Sequence, residues 1–208
     1  GNFEVYDVSS DAAKLTMAVA TGNLTVGGSL TVTTAKTDGE IAIPLAPGIA
    51  ISGTWTATNA SNVITITRSA ATASQSYIVP LVIPHRTTAS KGIKLKSISA
   101  AYTTSGGASS DVIQFIIQKQ TIPADASPST GVVLAGDDDA DYDSSHNTDA
   151  KRYAAASHTL TVTIPEGEQA YCATGIQYYV KVVVSDAASS DLAFALTGLT
   201  AAYDIAAL

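Results

Sequence analysis

The chain has 208 residues, enough for one sizeable hydrophobic core and a small appendage. Its 11 basic and 18 acidic residues give a net charge of -7, which argues against a nucleic-acid partner because phosphate binding needs clustered lysine and arginine. Only 14% of the residues are charged, so we expect a surface of small neutral side chains that suits close packing between subunits. No uncharged apolar run approaches about 18 residues, so no membrane insertion is expected.

Two consecutive six-residue units, TGNLTV and GGSLTV, occupy residues 21–32. Each unit places a leucine and a valine two residues apart, so in a strand these side chains share one face. Just before them, Leu15, Met17 and Val19 alternate, which favours a strand over the helix that residues 10–14 could open. Strands this short cannot bury an apolar face by themselves, so residues 1–34 are predicted to form a β stem shared between identical subunits. The residues expected to face the shared axis are Leu24, Val26, Leu30 and Val32.

Residues 35–75 are interpreted as a small β section that follows the stem. Strand-like runs alternate there with turn signals such as Pro47-Gly48. Trp55, the only tryptophan of the chain, lies in one of these runs. Its ring is expected to pack in a core, and contact with a glycan is the alternative because aromatic faces also bind carbohydrate.

Longer strands are predicted in residues 76–208, and turns separate them. The predicted strands are 77–83, 92–104, 111–122, 132–134, 158–164, 178–185 and 192–203. Ile113, Phe115 and Ile117 share one face, and residues 94–99 are interpreted as a clean alternation with one wet face. Long antiparallel strands with connections of unequal length predict an all-β fold, in which the stem precedes a jelly-roll-like β-sandwich head.

An aspartate-rich stretch interrupts the strands between Leu134 and His158. Its carboxylates alternate as in the first part of a calcium loop, although Tyr142 and Thr148 stand where an EF-hand has glycine and glutamate. Ca²⁺ is one interpretation, and no other cofactor is indicated. The other is a solvated loop whose carboxylates cap a short helix over residues 150–156, opened at Ser144 or Ser145. The candidate calcium ligands are Asp137, Asp139, Asp141 and Asp143.

No set of residues in the sequence supports catalysis. Asp143, Ser144 and His146 are the residue types of a hydrolytic triad, but triads are assembled from separate loops and nothing nearby supplies an oxyanion hole. Glu166 and Glu168 are interpreted as a charged turn rather than as paired glycosidase carboxylates. The histidines are scattered along the sequence and predict no transition-metal site. We therefore expect a protein that is not an enzyme.

The run GNLTVGGSLTV at residues 22–32 resembles a motif of tail fibres and other fibre proteins of tailed bacteriophages. Residues 91–102, together with the aspartate-rich stretch, are similar in layout to C-terminal regions of phage structural proteins. The resemblance implies a homotrimeric virion fibre or spike whose chains intertwine in the stem and end in a β-sandwich head. It also implies other virion proteins as partners and the surface of the extracellular particle as the location. It carries no catalytic residues.

The resemblance and the composition together predict a structural protein of a phage tail fibre or capsid fibre. Its head would attach to the host surface or decorate the capsid or tail. Two other functions stay open. A carbohydrate-binding adhesin module would contact a host glycan through Trp55 and the tyrosines at loops of the head. A capsid cement or decoration protein would bind assembled shells instead.

Overall fold

The computed structural model describes residues 2–7, 12–18, 23–25, 37–45, 48–68, 71–82, 90–123, 125, 127–169, 175–186 and 192–207. The chain divides into two compact units, Gly1–Ala35 and Lys36–Leu208. Each unit is built from antiparallel strands. Three of the four residues predicted to face the stem axis, Val26, Leu30 and Val32, lie outside the described residues.

The first unit contains a three-stranded sheet of β1 (Asn2–Asp7), β2 (Ala12–Ala18) and β3 (Asn23–Thr25), in that order. The strand β2 agrees with the alternation in the sequence and not with the competing helix. Directly paired residues share a face of a sheet. One row of paired residues is apolar and consists of Phe3, Met17 and Leu24. The next row is polar and consists of Glu4, Thr16 and Thr25.

The second unit contains two sheets that pack as a sandwich. Its strands are β4 (Thr37–Ala42), β5 (Ile49–Ser52), β6 (Trp55–Ala60), β7 (Val63–Arg68), β8 (Ser74–Leu81), β9 (Ser90–Thr104), β10 (Val112–Thr121), β11 (Thr130–Ala135), β12 (Ala156–Thr163), β13 (Ile176–Ser185) and β14 (Phe194–Ala207). The front sheet has the order β11-β10-β13-β8-β5. The back sheet has the order β12-β9-β14-β7-β6, and β4 also pairs with β14.

Strands that follow one another along the chain often change sheet. The series β8, β9, β10 runs front, back, front, and the series β12, β13, β14 runs back, front, back. This alternation is typical of a jelly-roll-like sandwich, so the prediction of an all-β antiparallel sandwich is confirmed. The strands β4 to β7, which cover most of the section predicted at residues 35–75, pair into the same two sheets and belong to the second unit.

The core lies between the two sheets and is built by alternation along each strand. The fully buried residues of β13 and β10 are Val180, Val182, Val184, Ile113, Phe115 and Ile117. The back sheet faces them with Tyr102 and Phe194, whose ring centroids lie 5.3 Å and 6.3 Å from that of Phe115. These three rings form an aromatic centre, because such distances are typical of favourable ring pairs.

The pairing of the longest strands, β9 and β14, shifts register at three places, and the first two shifts along β14 are the bulges that bear on the core. Thr197 is the extra residue on β14 and Lys96 is the extra residue on β9, as the pairs on either side of each show. The predicted clean alternation over residues 94–99 is therefore wrong: Leu95 and Ile98 are three positions apart, yet both are buried. The bulges at Thr197 and Lys96 return the apolar side chains that follow them to the core face. Plain alternation would turn these side chains outward.

The described part of the chain contains one short α-helix, α1 (Asp149–Tyr153), between β11 and β12. Thr148 caps it by accepting a hydrogen bond from a backbone N–H of the first turn, so the predicted cap at Ser144 or Ser145 is wrong. The helix ends before Ala156 because β12 begins there and pairs with β9. Neither this helix nor any other in the described ranges is long and apolar enough to cross a membrane.

Truncating the aromatic centre should destabilise the sandwich strongly. Phe115→Ala is expected to lower the free energy of unfolding by about 3–5 kcal/mol, because it removes a fully buried ring and leaves a cavity. Urea unfolding followed by circular dichroism measures this change. Thr159→Ala, at an exposed position of β12, is the control and should change the value by less than about 0.5 kcal/mol. Equal effects of the two changes would contradict the described core.

Candidate functional site

The guanidinium of Arg152 holds the aspartate-rich segment against the sandwich. Arg152 is 1% exposed. Its Nε donates to the carbonyl oxygen of Ile113 at 2.8 Å, and one terminal nitrogen donates to the carbonyl oxygen of His146 at 2.9 Å. The other terminal nitrogen pairs with the carboxylates of Asp139 and Asp149. Because all three nitrogens have acceptors, the buried charge is compensated.

Tyr142 attaches the same segment a second time. Its ring lies against the guanidinium of Arg152, with 4.3 Å between the ring centroid and Cζ. The Tyr142 hydroxyl donates to the carbonyl oxygen of Gly136 at 2.8 Å and accepts from the Phe115 N–H at 3.0 Å. Burial raises the pKa of Tyr142 to about 12, so the hydroxyl keeps its proton. Gly136 has a φ of 94°, and a Cβ there would lie 2.0 Å from the Phe115 carbonyl oxygen, so this turn requires glycine.

Of the four aspartates considered as calcium ligands, three have separate partners within the protein and one is exposed. Asp139 pairs with Arg152. Asp141 and Asp143 each accept a hydrogen bond from a backbone N–H at 2.7 Å, and Asp137 is exposed. Within the described ranges, no three side chains of His, Cys, Asp or Glu are grouped so that they could hold a metal ion. Ca²⁺ takes about six to eight oxygen ligands, so these carboxylates stabilise the loop and do not converge on one ion.

Asp143 begins a series of close polar contacts that passes through two histidines. Its carboxylate lies 3.0 Å from Nδ1 of His146. Nε2 of His146 lies 3.3 Å from Nδ1 of His158, whose Nε2 lies 2.8 Å from the carbonyl oxygen of Ala154. The series thus ends on a carbonyl group and not on a hydroxyl, and Ser144 is no part of it. The residue types of a triad are present, but the arrangement supplies no nucleophile.

Trp55 lies at the edge of the core and not on the outside of a sheet. Its ring centroid lies 5.4 Å from that of Tyr77 and 6.1 Å from that of Phe194. The indole N–H donates to the carbonyl oxygen of Ser52 at 3.0 Å. The half-buried ring packs against the core, as the sequence predicts. The glycan contact of Trp55 stays a prediction.

The outer face of the front sheet carries an aromatic ring among amide side chains. On β13 the buried residues Val180, Val182 and Val184 point into the core, so the residues at the alternate positions point outward. Across the strand pair, Tyr179 lies opposite Gln118, and Gln177 lies opposite Gln120 on β10. We call this surface the Tyr179 face, and it consists of Gln118, Gln120, Gln177, Tyr179 and Lys181.

The ring of Tyr179 lies along the sheet. A Cβ added to Gly131 would be 3.8 Å from the Tyr179 hydroxyl oxygen. Gly131 is on β11, opposite Gln120, so the ring crosses β10 diagonally to reach it. Sequence reasoning missed this tyrosine. Its outward position on a valine-rich strand is the pattern that could have predicted an exposed aromatic ring there.

A cavity of about 250 Å³ lies beside β7, β9 and β14. Small residues such as Thr67, Thr103 and Ala195 line it, together with one phenylalanine. Its lining residues include no carboxylate, imidazole or amine, so the cavity offers hydroxyl and backbone groups but no acid or base.

Comparison with known proteins leaves the family open. No family model and no curated protein matches the chain. A family two carbohydrate esterase from Cellvibrio japonicus is similar with a TM-score of 0.38 and 12% identity, over 83% of this chain and 36% of that chain. The CBM22-1 and GH10 modules of an endo-1,4-beta-D-xylanase from Clostridium thermocellum, complexed with xylohexaose, are also similar. The TM-score is 0.40 and the identity 7%, over 74% of this chain and 25% of that chain. The chain therefore spans 36% or less of these proteins, and such weak likeness carries no argument about function.

Removing one hydroxyl should loosen the aspartate-rich segment. Tyr142→Phe leaves the buried carbonyl of Gly136 and the buried N–H of Phe115 without their partner, so the free energy of unfolding should fall by about 1–3 kcal/mol. Urea unfolding at neutral pH measures the change. Tyr179→Phe is the matched control, with an expected change of less than about 0.5 kcal/mol. A Tyr142→Phe protein as stable as this control would refute the described attachment.

Replacing Asp143 should flatten the acid dependence of stability. Burial raises the pKa of Asp143, but hydrogen bonds from Thr161, His146 and Ser145 outweigh burial, and the net effect is a pKa below the ordinary value. A lowered carboxyl pKa stabilises the fold above the unfolded-state value of about 3.9, and this stabilisation is lost as the pH falls through the folded-state value. Unfolding free energies measured on either side of about pH 4 should therefore fall less steeply in Asp143→Asn than in the wild type. The exposed Asp137→Asn variant should keep the wild-type slope, and equal slopes in all three proteins would oppose this account.

Proposed function

We propose that the chain is a non-enzymatic attachment module of a bacteriophage fibre, and that its sandwich binds carbohydrate on the host surface through the Tyr179 face. The observation that carries the proposal is the Tyr179 ring, which lies along the front sheet among three glutamines. An aromatic ring in this position can stack on the apolar side of a sugar ring. In this proposal the fibre lies on the surface of the virion and has other virion proteins as partners.

The amides around the ring suit a ligand that is rich in hydroxyl groups. Gln118, Gln120 and Gln177 each offer two hydrogen-bond donors and an acceptor. Sugar hydroxyls also donate and accept, so one amide can pair with neighbouring hydroxyls. Lys181 is the single charged residue of the Tyr179 face, which favours a neutral or weakly acidic glycan. Because the face is the outer side of a sheet and not an enclosed pocket, it fits several consecutive sugars better than one enclosed sugar.

The described residues favour binding over catalysis. Glu166 and Glu168 are exposed beside a turn, and the Tyr179 face contains no carboxylate. Glycoside hydrolysis uses a pair of carboxylic groups placed on either side of the bond that is cut. The series of polar contacts that starts at Asp143 has no nucleophile at its end. These features support a module that holds a glycan without cleaving it.

We also propose that the first unit joins three copies of the chain. The row of Phe3, Met17 and Leu24 is followed along the strands by the pair of Val5 and Leu15. Such small sheets need a covering layer to be stable in water, and other copies of the chain would supply it. The resemblance of residues 22–32 to fibre proteins supports this arrangement. The residues assigned to the shared axis remain Leu24, Val26, Leu30 and Val32.

Tyr179→Ala should weaken glycan binding strongly. A central stacked tyrosine is expected to contribute about 2 kcal/mol, so its loss should weaken binding roughly thirtyfold. A glycan array with the wild-type chain identifies the ligand, and calorimetric titration with that oligosaccharide gives the affinity.

Two variants control this experiment. Tyr179→Phe retains the ring and should keep most of the affinity, whereas Thr159→Ala changes the back sheet and should have no effect. Normal binding by Tyr179→Ala would place the glycan site elsewhere. A wild-type chain that binds no glycan but sediments with capsids would favour a decoration protein.

Charge placed on the proposed stem axis should separate the subunits. The double variant Leu24→Asp with Leu30→Asp puts two like charges per chain into the apolar interface, and mass photometry should then show monomers instead of trimers. Circular dichroism should show that the sandwich stays folded. The matched control is Thr25→Asp with Thr31→Asp, which puts the same charge on the other strand face and should leave the trimer intact. Persistence of the trimer in the leucine variant would relocate the interface to the second unit.

A further inference from the structure

Two histidines that are 12 residues apart in the sequence meet at the surface of the sandwich. His146 lies in the loop before α1, and His158 lies on β12. Nε2 of His146 and Nδ1 of His158 face each other at 3.3 Å, and the two ring planes are inclined by 68°. His146 is buried and His158 is half-buried, so the pair is reached from the side of His158.

The other nitrogen of each ring lies against a hydrogen-bond acceptor. Nδ1 of His146 lies against the carboxylate of Asp143, and Nε2 of His158 lies against the carbonyl oxygen of Ala154. Neither acceptor has a hydrogen to give, so both of these ring nitrogens carry one. In neutral rings the two facing nitrogens then carry lone pairs. Lone pairs that face each other at 3.3 Å repel unless a cation lies between them.

We propose that Nε2 of His146 and Nδ1 of His158 together bind one divalent transition-metal ion, for which Zn²⁺ is the probe. Zn²⁺ binds imidazole nitrogens at about 2.0–2.1 Å, so two such ligands in tetrahedral coordination are about 3.3 Å apart. The observed separation of the two nitrogens agrees with this value. Imidazole is a preferred ligand of zinc, copper and nickel, whereas Ca²⁺ prefers oxygen. Water completes the coordination of the ion.

The groups behind the two rings are those that support metal-binding histidines. Such histidines usually donate their second N–H to a carboxylate or a backbone carbonyl, which fixes the tautomer and the ring orientation. Asp143 provides the carboxylate and Ala154 provides the carbonyl. Tyr102 stacks on His158 with 4.7 Å between the ring centroids, so this ligand is also held by packing.

The charges around the pair allow a cation to bind. Arg152 donates to the carbonyl oxygen of His146, but Asp139 and Asp149 pair with its guanidinium. Asp143 adds a further negative charge in direct contact with His146. Each of these groups is held by other hydrogen bonds, so the site is preformed and the fold does not depend on the ion.

Calorimetric titration of the full chain with ZnCl₂ tests the proposal. The wild type should bind one ion per chain, and His158→Gln and His146→Gln should each remove this binding. Asp143→Asn should weaken it by about 10- to 100-fold because it removes the group that orients His146. His85→Gln removes the third histidine of the chain and is the matched control, which should bind as the wild type does. Circular dichroism of each variant shows whether it is folded. If His146→Gln does not fold, His158→Gln alone suffices to test the proposal.

Three binding results would overturn the proposal, and so would one result on pH. One is a wild type that gives no heat with Zn²⁺, Cu²⁺ or Ni²⁺, and another is binding that survives His158→Gln. The third is binding that His85→Gln removes. If the melting temperature in EDTA depends on pH in the wild type but not in His158→Gln, and metal has no effect on either protein, the facing nitrogens share a proton and not a metal ion.

Discussion

The burial of the Arg152 guanidinium is the interaction on which the region between β11 and β12 depends. An unpaired charge in this position would cost several kcal/mol, so the fold is stable only if acceptors surround it. They come from three places: Ile113 on β10, His146 in the loop, and the carboxylates of Asp139 and Asp149. One side chain therefore fixes an aspartate-rich segment, whose like charges would otherwise repel, against the front sheet.

This arrangement places two surfaces on separate parts of the sandwich. The histidine pair is built by the segment that Arg152 holds, together with β12 of the back sheet. The Tyr179 face belongs to β10 and β13 of the front sheet, whose inner sides are packed with valine, isoleucine and phenylalanine. A rigid, fully paired sheet suits the binding of an extended ligand, because its outward side chains are held at fixed spacing without a loop to order. The two surfaces can therefore be altered independently.

The sequence predicts the features of this fold that depend on neighbouring residues. The alternation around Val182 and Phe115 predicts strands, and their number and turns predict a sandwich. The sequence does not indicate the bulge at Lys96, because one extra residue in a strand cannot be told from an ordinary irregularity in the alternation. The role of Arg152 depends on a carbonyl group 39 residues away, so no local pattern indicates it. Tyr179 could have been found, since it occupies an outward position of a strand whose inward positions are valines.

The bulges at Thr197 and Lys96 also control the curvature of the back sheet. They lie on opposite strands, so the offset of one residue that Thr197 introduces between β9 and β14 is cancelled at Lys96. Bulges bend and twist a strand pair locally, and a third register shift follows between Ala206 and Ala207, near the ends of these strands. A deletion of one residue between the two bulges would leave the offsets unmatched and turn part of the core face toward water. The number of residues between the two bulges is therefore constrained more strictly than the identity of the small outward side chains there.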